Sequence, residues 1–164
     1  MKHKALVILS LLLLWSIQPI ISCTIIAVGK KASADGSVIV SHTDAGPDCR
    51  IHLVPGQQFK KGSFAPVHWG MVDLGRPLGD YGEVLGEIPQ VDQTNSYFQT
   101  AYPQMNAFQL AIGESTQSQR DELKLDRSLC QQIMTIEQAQ AFALQRCKTA
   151  EEALALITQL LETY

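Results

Sequence analysis

Cys23 constrains this chain more than any other residue, because it divides two stretches that cannot belong to the same structure. Upstream of it, Lys2, His3 and Lys4 precede an almost unbroken apolar run over residues 5–17, and Pro19 and Ser22 lead up to the cysteine. A short basic start, an apolar middle and a small residue before a cut form a secretory signal peptide. A membrane span needs about 20 apolar residues, and Gln18 and Pro19 interrupt this run after about a dozen. Downstream, Thr24, Ile25, Ile26, Ala27 and Val28 are apolar and β-branched, which reads as a strand. Residues 1–22 are therefore expected to be a signal peptide and residues 23–164 the folded domain. The expected location is outside the cell membrane, periplasmic or extracellular.

Without the leader, 142 of the 164 residues remain. A chain of that length makes one domain and buries about two-thirds of its unfolded surface. Losing Lys2 and Lys4 leaves 11 basic against 16 acidic residues, a net charge of about −5. An acidic chain with no basic stripe argues against nucleic-acid binding. Cys23, Cys49, Cys130 and Cys147 permit three pairings into two disulfides, and an exported domain large enough for its own core does not depend on them. Cys130 and Cys147 read as helix-face residues.

Residues 24–28 and 38–40 flank a turn containing Asp35-Gly36, the pattern of a β-hairpin. Prolines and glycines are frequent from 46 to 103, which favours short strands and turns, one of them at residues 50–54. A turn at Asn106 and a buried strand over 109–113 follow. The last third is helical: Thr135 with Gln138, and Thr149 with Glu152, have capping-box spacing. Ala153, Leu154, Leu156, Ile157, Leu160 and Leu161 then recur on one face. Strands first and a helix pair second predict an α+β domain with the helices packed on a sheet.

From the residues alone, Cys23 fits three roles. It could be half of a disulfide. It could carry lipid, since "IISC" is close to a lipobox. It could also be a nucleophile created by cleavage. In the last case one residue carries both a thiol and a free α-amine of pKa about 8, so the amine can take the thiol proton without help from a histidine. A lipid anchor needs slack after the cysteine, whereas here a strand starts at Thr24. A nucleophile needs rigidity.

"CTIIAVGKKASADGS" resembles the start of the mature dipeptidase A family, cysteine-type N-terminal nucleophile hydrolases related to the secernins. "PQMNAFQLAIGEST" is similar to a second segment of that family, and "QRCKTAEEALALITQLLETY" to its helix pair. The resemblance implies an Ntn-hydrolase αββα layered sandwich, of which this chain corresponds to the N-terminal part. It implies hydrolysis of short peptides through a thioester, with Cys23 as nucleophile, Asp44 orienting the nucleophile and its amine, and Asn106 donating to the oxyanion. The residues themselves give no sign of a metal or a cofactor. Three positions depart from the family pattern: Ser41 stands where arginine is common, Ala107 where an acidic residue is common and Gln109 where glycine is usual. The alternatives are a lipid-anchored envelope protein, the one case that brings in a membrane, and a truncated paralogue without catalysis.

Other residues carry simpler readings. Asp44 with Gly46 and Pro47, and Asn106, are also good turn formers. Glu114, Ser115 and Thr116 fit catalytic polar residues and a strand end leaving for solvent equally well. His42 beside Asp44 reads as incidental, Cys49-x-x-His52 is too little for zinc, and Trp69 and Tyr81 read as packing aromatics. Oligomeric state has no signature in the sequence.

Overall fold

The computed structural model describes residues 23–43, 50–69, 80–115 and 119–164. The expected leader over residues 1–22, Asp44, the turn expected at Gly46 and Pro47, Cys49 and Thr116 lie outside them.

Among the described residues the chain forms seven strands and then two α-helices, an α+β arrangement. The strands are β1 Thr24–Val28, β2 Ile39–Thr43, β3 His52–Val54, β4 Phe64–Trp69, β5 Glu83–Pro89, β6 Tyr97–Gln99 and β7 Pro103–Asn106. The helices are α1 Ile136–Arg146 and α2 Ala150–Thr163. All strand pairing is antiparallel, in three small sheets: β1–β2, β3–β6–β7 and β4–β5.

The hairpin β1–β2 forms as its pattern predicts, although β2 runs on to Thr43 rather than ending at residue 40. Its connection turns at Gly36, whose φ of 76° favours glycine, and Asp35 Oδ1 accepts the Ser37 N–H at 3.0 Å. The predicted strand over 109–113 is absent. Instead β7 ends at Asn106, a turn follows, and Ala111 makes an isolated bridge back to Met105. The strand fails because Gln109 takes φ 63°, a left-handed conformation incompatible with an extended run.

Helix α1 lies at the centre, buried all along residues 138–144. Ala139 and Phe142 join Ala65, Val67 and Ile88 of the β4–β5 sheet, together with Met134 and Leu160. Ala141, Ala143 and Leu144 join Tyr97 of β6, Leu110, Cys147 and Ala153. Leu156 and Ile157 of α2 touch both groups, so the two helices weld two sheets into one core. Both helix starts are capped as their spacing predicts. Glu152 completes a reciprocal capping box with Thr149, but at Thr135 only half of the box forms. The Gln138 side chain leaves its own helix and accepts the His68 N–H at 2.9 Å, at the β-bulge where β4 shifts register against β5.

Cys130 and Cys147 are not on helix faces. Cys130 follows the 3₁₀ turn Arg127–Leu129, and Cys147 is the C-cap of α1. Cys23, Cys130 and Cys147 all carry free thiols. No helix among the described residues is long and apolar enough to cross a membrane.

Candidate active site

Cys23 sits one residue ahead of β1, half-buried, with its thiol free. The last rung of the β1–β2 ladder pairs Thr24 with Thr43, so the cysteine lies just beyond regular pairing. Its surroundings come from residues 113–115. Gly113 lies against the hairpin so closely that an added Cβ would stand 3.5 Å from both Ile25 and Val40. The ring Nδ1 of His42 stands 3.4 Å from the Glu114 N–H and 3.3 Å from the Glu114 carbonyl, accepting from the first or donating to the second according to its tautomer. Ser115 Oγ donates to the Cys23 carbonyl at 3.3 Å. Glu114 and Ser115 are thus not a strand end leaving for solvent, and His42 has a contact of its own. No local pattern signals this docking, because the partners are 72 and 92 residues apart in sequence.

Asn106 is buried, 5 % exposed, at the end of β7. Its Nδ2 donates to the carbonyls of Leu144 at 2.9 Å and Cys147 at 2.8 Å, while its Oδ1 accepts from the N–H groups of Phe108 at 3.0 Å and Leu110 at 3.1 Å. Two donors and two lone pairs make an amide's full capacity, and all four are in use. Asn95 Nδ2 reaches the same two carbonyls, and its backbone N–H donates to Gln145 O at 2.7 Å. The open end of α1 is therefore capped by two asparagines from the strand region.

A cavity of about 330 Å³ opens elsewhere, between the β4–β5 sheet and α1, walled by Phe59, Phe64, Tyr97 and Phe142 and by His68 and Tyr81, whose rings tilt together at 5.8 Å. Burial pushes the Tyr97 hydroxyl well above its usual range, the Tyr81 charge adds to the shift, and the Gln145 hydrogen bond partly offsets it, so Tyr97 stays protonated. Much of the polar lining is engaged within the protein: Thr94 Oγ1 accepts the Gln57 N–H and Gln138 Oε1 holds His68. Tyr81 lines this cavity rather than only filling a core. Cys23 is not part of its wall.

No group of three or more His, Cys, Asp or Glu side chains among the described residues could hold a metal ion. His52 is half-buried on β3, with both ring nitrogens shielded from solvent and neither partnered among those residues.

Residues 22–164 match the model of peptidase family C69. The chain belongs to that family. No curated protein and no solved structure matches it. Membership in C69 makes this a peptidase sequence of the cysteine type and peptides its substrate class. The C69 match begins one residue before Cys23 and includes the hairpin, the 106–115 segment and both helices.

Proposed function

We propose that the protein is an exported dipeptidase in which Cys23, exposed by removal of residues 1–22, is an N-terminal nucleophile. The observation that carries this reading is the coincidence of a free, half-buried thiol at the head of β1 with the start of the C69 match. The α-amine takes the thiol proton and Sγ bonds to the peptide carbonyl carbon. The tetrahedral adduct then collapses: the C–N bond breaks, the leaving amine takes the proton, and a thioester remains. Water adds to the thioester with the α-amine again as base, the C–S bond breaks, and the acid product departs as the thiol regains its proton.

Asp44 orients the nucleophile and its amine. A fixed oxyanion donor lowers the barrier by roughly 3 kcal/mol. For Asn106 to be that donor, it must give up its hydrogen bond to Leu144 or to Cys147. The αββα layering of Ntn hydrolases belongs to this proposal, with the β1–β2 hairpin as the part that mounts the nucleophile. A lipid on Cys23 would abolish the mechanism, because the amine would become an amide and the thiol a thioether. The start of β1 directly at Thr24 favours the nucleophile, since it leaves no tether.

The test is the intact mass and N-terminal sequence of protein purified from its native host, followed by dipeptide hydrolysis. A free Cys23 with activity that disappears in Cys23→Ala is the expected result. A diacylglyceryl adduct, or a Cys23→Ala protein as active as the parent, ends this reading.

A further inference from the structure

The carbonyl of Cys23 and the N–H of Thr24 belong to one planar peptide unit. Both of its polar atoms are held by side-chain hydroxyls. Ser115 Oγ donates to the Cys23 oxygen at 3.3 Å, and Thr43 Oγ1 accepts the Thr24 N–H at 2.9 Å. The two hydroxyls come from different segments, one from the end of β2 and one from the strap that follows β7. We infer that Thr43 and Ser115 are positioning residues: together they clamp the Cys23–Thr24 peptide plane and fix where the nucleophile's Cα sits.

The clamp answers a problem of chain position. Cys23 lies past the last rung of the ladder, and chain ends beyond regular pairing fray. The Cα lies in the plane of the clamped peptide, so holding that plane leaves only rotation about Cα–C and Cα–Cβ to the amine and the thiol. The strap holding Ser115 is itself anchored. Asn106 ties its start to the end of α1, and the Ile112 N–H donates to Gln104 O at 2.9 Å. The strap then passes the hairpin at Gly113, where an added Cβ would stand in ordinary contact, 3.5 Å, with Ile25 and Val40. The position of the nucleophile is thereby referred to the rest of the fold through the two hydroxyls.

This inference rests on the nucleophile reading of Cys23, and its test separates the two. The processed protein is compared with Ser115→Ala, Thr43→Val and the hydroxyl-keeping pair Ser115→Thr and Thr43→Ser. Misplacing a reacting group by about 1 Å costs about 100-fold in rate, so kcat for a dipeptide is expected to fall between about tenfold and 100-fold in the first pair, with KM little changed. Activity returns in the second pair. Amide exchange at Thr24, read by NMR, is expected to accelerate in Thr43→Val while the melting temperature holds. Parental kcat in both hydroxyl-free variants overturns the inference, as does a loss that the hydroxyl-keeping variants fail to restore. If the parent protein with intact Cys23 hydrolyses no dipeptide, the nucleophile reading fails instead. The clamp is then decided by exchange alone, and unchanged protection of Thr24 in Thr43→Val overturns it.

Discussion

Asn106 shows how much one buried amide can organise. It closes the turn after β7 with its oxygen and caps α1 with its nitrogen, using every hydrogen-bonding position it has. Asn106→Ala leaves two N–H groups and one end of a helix short of partners in a buried place, and a lost buried partner costs about 1–3 kcal/mol. With Asn95 still reaching both carbonyls, the expected loss is about 2–4 kcal/mol, measured by urea unfolding. A loss under about 0.5 kcal/mol, the scatter of neutral surface substitutions, would show that the four bonds contribute little. Gln109, three residues on, holds φ 63° where the resembling family usually has glycine. A non-glycine residue there costs about 1–2 kcal/mol, and glycine restores part of that while adding about 0.5–1 kcal/mol of unfolded-state entropy. Gln109→Gly is thus expected to be neutral or to stabilise by up to about 1 kcal/mol, and Gln109→Val to destabilise, β-branching being least compatible with positive φ. Thermal midpoints of the two variants decide it, and an equal response to glycine and valine would remove the strain argument.

At the scale of elements, the caps are where local sequence and tertiary structure agree and then part. At α2 the Thr149 hydroxyl accepts the Glu152 N–H at 3.2 Å, and Glu152 Oε2 accepts the N–H groups of Lys148 at 2.7 Å and Thr149 at 3.2 Å. Thr149→Ala should cost about 1 kcal/mol. The backbone N–H of Lys148, then that of Thr149, holds the Glu152 carboxyl below its usual value. A group with a depressed folded pKa contributes stability above its unfolded value and loses it as pH falls through the folded one, so this contribution disappears below the ordinary glutamate value of about 4.3. Glu152→Gln should accordingly lower the melting temperature at pH 7, with the difference from the parent shrinking as pH falls below about 4. A difference that did not change with pH would place the effect elsewhere. This box was legible in the sequence because both partners lie within four residues, as were the hairpin, the two helices and the strand-then-helix order. The C-terminal cap of α1 was not legible, since Asn95 and Asn106 reach it from about 40 to 50 residues upstream. Nor was the use of Gln138, whose spacing marked it for Thr135 but whose side chain fills a vacancy at the β4 bulge. In the candidate site, the place of Cys23 between an apolar run and the first strand was legible. The hydroxyls that hold it were not, because Ser115 meets Cys23 only through the fold.

For the molecule as a whole, the decisive feature is that one helix serves two clusters. Phe142 packs with the β4–β5 side and Leu144 with the β6–β7 side, and both are almost wholly buried. Replacing either by alanine removes a buried side chain and leaves a cavity, at about 2–5 kcal/mol for leucine and about 3–5 kcal/mol for phenylalanine. Against a typical total stability of about 5–15 kcal/mol, each is a large fraction. If the clusters were independent, the two losses would add. They share α1 and also Leu156 and Ile157 of α2, so relaxation around one cavity moves the walls of the other. Neighbours coupled through shared packing depart from additivity by about 0.5–3 kcal/mol. The expectation is a single unfolding transition for the parent and a double-mutant cycle of Phe142→Ala with Leu144→Ala whose interaction energy exceeds about 0.5 kcal/mol. The β1–β2 hairpin sits outside both clusters, with Ile25, Ile26 and Ile39 about half exposed. Its amides should therefore exchange well before those of α1, with Thr24 the most protected near its open end. Two resolved transitions with additive losses would instead mean that each sheet carries its own core and that α1 joins them without coupling them.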